Sequence, residues 1–321
     1  MAIRILNPLV LLAGLTGLTG CEKWADGVVS EIEFPEHQST TAASCILTTG
    51  DSTAILSVTN TASLLSVSPV DMPDGVSATI EHNGVVVLSW ETADVGLITV
   101  NGGFTSAQDV LLLALDTPLS LPVGDLELKV NIPGEEPLTA SATQPGIPEV
   151  ASEFVLGADT LTEPWGEKIT DELHLTLINR SGVRDAFSLH LEEGYVAEND
   201  TVWYPVYGNN ERFEDPRLDF VSSCACWMVD DQNVDGQVLD DLVLTRIRWD
   251  EGYGYGYYET PSVLRLMVDQ LSPSLADFYR SVETHQAAQD NPFANPSGIY
   301  SNTSTGYGHF GLAARRTVLI Q

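Results

Sequence analysis

Leu126, Leu128, Val130 and Ile132 fall at every second position up to Pro133-Gly134, and Leu138, Ala140 and Ala142 resume the same period beyond it. A period of two belongs to a strand with one buried face, so the two runs read as a hairpin. Val76-Ser77-Ala78-Thr79-Ile80 alternates likewise, Asn83-Gly84 supplies the left-handed residues of a tight two-residue turn, and Val85 to Leu88 returns as an apolar strand. Short strands with turn signals between them, and no long helical period, predict an antiparallel, Ig-like β-sandwich over residues 40–143. Gln144-Pro145-Gly146-Ile147-Pro148 breaks the pattern, because two prolines remove donors and fix φ, and a Pro-rich linker is expected over residues 144–150.

A second, larger β domain is expected over 151–321, where Leu173, Leu175 and Leu177 alternate into Asn179-Arg180-Ser181-Gly182 and Phe187, Leu189 and Leu191 alternate out. Ser272-Pro273 provides an N-cap and a first-turn proline for a short amphipathic helix near 273–286, with Leu275, Phe278, Tyr279 and Val282 on one stripe. The fold class read from these patterns is mainly β, with two antiparallel β-sandwich-like domains. Residues 1–20 stand outside it. Without them about 300 residues remain, beyond the ~250 at which one core stops growing, which agrees with two domains.

Those first residues carry an address. The run from Ile3 to Leu18 holds one charge, Arg4, is too short for a stop-transfer helix, and ends in Leu18-Thr19-Gly20-Cys21, the pattern of a bacterial lipoprotein signal. Cleavage is expected before Cys21, whose thiol would be diacylated and whose new amino group acylated, with residues 21–39 as anchor and tether. More than one acyl chain gives durable membrane attachment. Glu22 does not resemble an inner-membrane retention residue, so the outer membrane is the expected location, on its periplasmic or its cell-surface side.

Composition narrows the partners. Against 45 acidic residues stand only 14 Lys plus Arg, a formal charge of -31 that repels phosphate backbones and excludes nucleic acid. Such a surface attracts divalent cations, although a solvated acidic exterior accounts for the same residues. Asp231-Gln232-Asn233-Val234-Asp235-Gly236 begins like a calcium loop, with oxygen-bearing side chains at alternate positions and a glycine for the sharp turn. Leu242 stands where the bidentate carboxylate belongs, and Asp240 and Asp241 are the nearest acids. A structural calcium clip at Asp231, Asn233, Asp235, Asp240 and Asp241 competes with an acidic turn; no other cofactor is expected.

If the Leu173–Leu191 segment is a hairpin centred on Gly182, Glu172 and His174 lie opposite Glu192 and His190 on its polar face, a set that could hold zinc. A solvated strand face is the alternative, since a one-residue slip would separate the group. Lipidation of Cys21 leaves Cys45, Cys224 and Cys226 in a compartment that tolerates disulfides. Cys224 and Cys226 are close enough for a bridge, and a bridge from either to Cys45 is the alternative.

Gly252-Tyr253-Gly254-Tyr255-Gly256-Tyr257-Tyr258 and Trp203-Tyr204-Pro205-Val206-Tyr207 offer rings that could stack on sugar or an apolar partner, or else close the sandwich as hairpin tips. No Gly-x-Ser-x-Gly elbow, His-Glu-x-x-His or phosphate-cradling loop occurs, and none of the six histidines has a sequence context that marks a catalytic base.

The ending Asn291-Pro292-Phe293-Ala294-Asn295-Pro296, then Ile299-Tyr300-Ser301-Asn302 and Gly306-Tyr307-Gly308-His309-Phe310-Gly311, resembles that of an uncharacterised Bacteroidota lipoprotein family labelled domain of unknown function 4249. The order of a lipobox cysteine, an alternating Thr-Ala segment before prolines, the Leu173–Leu191 segment, Asp235-Gly236-Gln237 and the Ser272–Tyr279 helix is similar as well. The resemblance implies an all-β, lipid-anchored outer-membrane protein encoded near energised outer-membrane transporters, and brings no activity with it. Ala186-Phe187 and Cys224-Ala225-Cys226 depart from its pattern. The glycines of the ending suggest a close-packed last strand, with Phe310 filling the core.

These features favour a non-enzymatic binding or accessory component of a transport or surface assembly. An extracytoplasmic hydrolase with its site on second-domain loops, or a calcium-stabilised adhesion module, would be the alternatives.

Overall fold

The computed structural model describes residues 39–61, 72–91, 96–100, 108–164, 166–180, 182–197, 200–206, 215–231, 238–249, 263–289 and 297–320. The first half of the chain supplies β1 (Thr41–Thr49), β2 (Thr53–Asn60), β3 (Ser77–His82), β4 (Val85–Trp90), β5 (Gly96–Val100), β6 (Gln108–Ala114), β7 (Gly124–Asn131) and β8 (Leu138–Gln144). The second half supplies β9 (Val150–Glu163), β10 (Gly166–Leu177), β11 (Ala186–Ala197), β12 (Asp200–Pro205), β13 (Asp219–Val221), β14 (Cys226–Asp230), β15 (Leu239–Trp249), β16 (Val263–Leu271), the helix α1 (Pro273–Gln289) and β17 (Tyr307–Ile320). The protein is mainly β and sandwich-like, as the alternation requires.

Both hairpins read from local turn chemistry are present. Asn83 and Gly84 take φ of 52° and 76°, pairing β3 with β4, and Val130 opposes Leu138 across the Pro133-Gly134 turn. With β3 paired to β7, they form a sheet ordered β4-β3-β7-β8. A three-stranded sheet runs β15-β10-β9, and a ten-stranded sheet runs β13-β14-β11-β16-β17-β1-β2-β6-β5 with β12 beside β11.

That large sheet joins the two halves of the chain. Its last strand, β17, lies parallel to β1 and antiparallel to β16, so the expected division at 144–150 does not separate two bodies; residues 39–321 form one compact unit. The length of β17 explains how one strand serves both halves: along one face, Phe310 and Leu312 enter a core with β1, β2, β3 and β7 near its start, while Val318 and Ile320 pack into a core with β10, β11, β15 and β16 near its end. Ala313, from the other face, meets Leu275 and Ala276 of α1. The proline-rich segment is stitched to this seam by buried Gln144, whose Nε2 donates to the Ala313 carbonyl and the Thr49 hydroxyl, both at 3.1 Å.

Helix α1 starts where Ser272-Pro273 predicts and runs three residues beyond the expected Gln286. The Ser272 hydroxyl accepts the amide N–H groups of Leu275 (3.3 Å) and Leu312 (3.1 Å), so one side chain caps the helix and docks it on β17. Leu275 and Ala276 are buried, and Phe278 and Tyr279 pack beside them.

One predicted pairing is different. Strands β10 and β11 lie in separate sheets, β10 between β9 and β15 and β11 between β14 and β16. Their leucines still share one core, but they meet face to face across the sandwich rather than side by side. The connection is closed by Asp185, whose buried carboxylate takes Arg180 NH2 at 2.5 Å and Gln270 Nε2 at 2.7 Å.

Candidate functional site

Because β10 and β11 face each other through their leucines, their polar faces point apart, and the expected zinc set Glu172, His174, His190 and Glu192 is not assembled. His190 sits 3.9 Å from Asp269, with its pKa lowered by burial, and Glu192 is bound by Arg265. The other two residues of the set join an acid from the expected calcium set. His174 Nδ1 lies 2.6 Å from Asp241 Oδ1, and its Nε2 lies 3.1 Å from Glu172 Oε2.

Local backbone geometry makes this cluster. A register shift near Leu175–Leu177 and a left-handed φ of 50° at Asp241 turn the Asp241 side chain toward His174 on the neighbouring strand. Arg217 holds the bulge in place by donating to the Asp240 and Asp241 carbonyls at 2.8 and 2.6 Å. Its guanidinium is gripped in turn by Asp215, at 2.9 and 2.6 Å. Burial opposes ionisation of Asp215, but the bonds from Arg217 outweigh it and the carboxyl titrates below its usual range.

With each ring nitrogen aimed at a different carboxylate, His174 acts as a cationic clamp. Its hydrogen bond to Asp241 and then that to Glu172 raise its pKa despite partial desolvation. Its stabilising contribution is therefore complete below the ordinary value of 6.5 and is lost as pH rises through the higher folded value. An NMR titration should place His174 above 6.5, and Asp241→Asn should return it toward that value. A midpoint at or below 6.5 in the wild type would refute the clamp.

Of the remaining expected ligands, Asn233 and Asp235 lie outside the described residues, as does Cys21. Asp231 is buried, and its Oδ2 has no hydrogen-bond partner among the described residues. Among those residues, no three His, Cys, Asp or Glu side chains are placed to hold a metal ion. Cys224 and Cys226 form a disulfide, leaving Cys45 as a buried free thiol whose pKa is pushed up by burial. Ala225, between the bridged pair, takes φ of 50°, and Ser222 just before it donates to Glu283 of α1 at 2.8 Å.

Gly252–Tyr258 and Tyr207 fall outside the described residues. Trp203 has a structural post, its ring against Gly194 and 4.1 Å beneath the Arg265 guanidinium. Tyr204 is exposed and meets Tyr195 edge-on with ring centroids 5.5 Å apart.

Among the described residues, a hydroxyl approaches an imidazole in a way that could suit a hydrolase at Ser44 Oγ and His309 Nδ1, 3.3 Å apart on the paired strands β1 and β17. His309 is fully buried, stacked on Phe278 at 3.7 Å, and its Nε2 has no hydrogen-bond partner among the described residues. Among the described residues no carboxylate orients this ring, and its full burial keeps it from a substrate, so the pair is a packing feature.

A buried charge network was missed by sequence reasoning. Asp171, fully buried, accepts the Gly157 amide at 2.8 Å and Arg246 NH1 at 3.1 Å; Arg246 also binds Glu193, which accepts the Tyr195 hydroxyl at 2.9 Å. The available signal was phase. Asp171 is in step with Leu173, Leu175 and Leu177, and Arg246 with Leu242 and Leu244, so each stands where its strand points inward.

Compared with known proteins, the chain matches no family model and no curated protein.

Proposed function

We propose that this chain is a lipid-anchored lipoprotein of the outer membrane, acting as a non-enzymatic binding or accessory component of a transport or surface assembly. The observation that carries the reading is Leu18-Thr19-Gly20-Cys21 closing an apolar run that bears the single charge of Arg4. Glu22 supports the outer membrane over the inner one, and the resemblance of the ending to the domain of unknown function 4249 family supports a place beside a transporter. A net charge of -31 suits a body that must not adhere to anionic headgroups while it is held at their surface.

Replacing Cys21 tests this directly. Mass spectrometry of the wild-type protein should find an acylated cysteine as the first residue, and Cys21→Ser should move the protein from the membrane pellet to the soluble fraction. An unmodified amino terminus, or a serine variant that still sediments with vesicles, would overturn the anchor. Crosslinking from the intact membrane should recover a transporter β-barrel. A chain labelled by a hydrolase probe, with no partner recovered, would overturn the accessory role.

A further inference from the structure

We propose that strand β4 is a docking edge to which an extended, basic segment of another protein adds as a further β-strand. The placement of β4 makes this a physical question. It closes one end of the sheet β4-β3-β7-β8, so one of its backbone edges is bonded to β3 while the other meets no strand among the described residues. An open row of amide and carbonyl groups is a template for a further strand, and protein edges usually blunt it with charge or proline. Val85-Val86-Val87-Leu88-Ser89-Trp90 has neither.

Its side chains add a second invitation. Val85, Val86 and Val87 are 66%, 53% and 37% exposed, three consecutive β-branched residues facing solvent. Their exposure has a local cause: Ile80 opposes Leu88 but Glu81 opposes Val86, so Val87 is an extra residue and the bulge turns this end of the strand off the core. The other end is fixed. Trp90 is fully buried, with its indole N–H donating to the Ala54 carbonyl at 3.4 Å in the facing sheet. A strand held this way is preorganised, and an incoming segment would not have to order it.

Charge selects the occupant. Glu91 is exposed directly after β4 and the chain as a whole carries -31, whereas Glu81 of β3 and Glu127 of β7 are already paired with Lys129. A second copy would bring the same excess of negative charge to the contact. A segment alternating Val, Ile or Thr with Lys or Arg would extend the sheet, place apolar side chains on the valines and bring cations to an acidic surface. This inference concerns the folded body alone, so failure of acylation at Cys21 would leave it intact, and its own failure would leave the anchor intact.

The test uses the full chain with two acetylated heptapeptides, Lys-Val-Lys-Val-Lys-Val-Lys and its counterpart with Glu in place of Lys. Fluorescence anisotropy at low salt should show binding of the basic peptide and none of the acidic one. Amide shifts should be confined to β3 and β4. The double variant Val85→Lys, Val87→Lys changes only exposed positions; with an unchanged urea midpoint it should bind the basic peptide at least about tenfold more weakly. Failure of the basic peptide to bind, equal binding of both peptides, or undiminished binding by the variant would overturn the proposal. So would concentration-dependent self-association abolished by the variant, which would assign the edge to a second copy.

Discussion

Gly308→Ala should destabilise the protein by about 2–6 kcal/mol and bring both sandwiches down in one transition. Two effects add at this residue. Its φ of +123° lies where a side chain strains the backbone by about 1–3 kcal/mol. An added Cβ would also overlap the Ala43 carbonyl oxygen, which belongs to the backbone of β1 and cannot rotate aside, so β1 and β17 would have to part. Overpacking of that kind contributes a further ~1–3 kcal/mol. The loss spreads because β17 carries Phe310 and Leu312 into one core, Val318 and Ile320 into the other, and Ala313 against α1. Gly298→Ala is the control: an added Cβ there meets open space, and a change within about 0.5 kcal/mol is expected. Urea unfolding followed by both tryptophan fluorescence and circular dichroism measures the two variants. A Gly308→Ala midpoint near that of the wild type, or separate transitions for the two probes, would contradict a shared strand.

The same strand shows what the sequence made legible. Asn83-Gly84 and Pro133-Gly134 could be read because a tight turn is decided by a few adjacent residues, and Ser272-Pro273 because a cap acts within one helical turn. Alternation says which side of a strand faces inward, but not which strand lies next to it. Leu173–Leu177 and Phe187–Leu191 therefore fit a hairpin and a face-to-face packing equally well, and the zinc set depended on the wrong one. Pairing of β1 with β17 joins residues as far apart as Ala42 and Tyr307, where no turn chemistry exists to announce it. For the histidine clamp, Glu172 and His174 were identifiable as neighbours on one face, whereas Asp241 reaches them only through a bulge and a left-handed backbone. The Gly-rich ending was read as a close-packed strand, and Gly306 and Gly308 do lie against the β1 backbone at Thr41 and Ala43.

Acidification from pH 6.5 to about 4 should remove about 3 kcal/mol of stability through His309 alone. Burial lowers the pKa of this imidazole from 6.5 to about 4, since Nε2 has no hydrogen-bond partner among the described residues and Phe278 covers the ring face at 3.7 Å. Whichever tautomer faces Ser44, protonation would add charge that no described neighbour compensates. Above pH 6.5 the ring is neutral in folded and unfolded chains alike, so the contribution is fully present. Below it the unfolded chain takes a proton that the folded chain refuses, and stability falls until the folded ring also titrates near 4. Asp215 acts in the same direction but lower on the scale, because a carboxyl held below its ordinary 3.8 loses its contribution only beneath that value. The windows are therefore separable. Urea midpoints at pH 7.5, 6.0, 5.0 and 4.2 should decline steeply for the wild type and much less for His309→Phe, which keeps a ring against Phe278 without its nitrogens. Parallel declines in the two proteins would show that His309 does not set the acid sensitivity of the seam between α1 and β17.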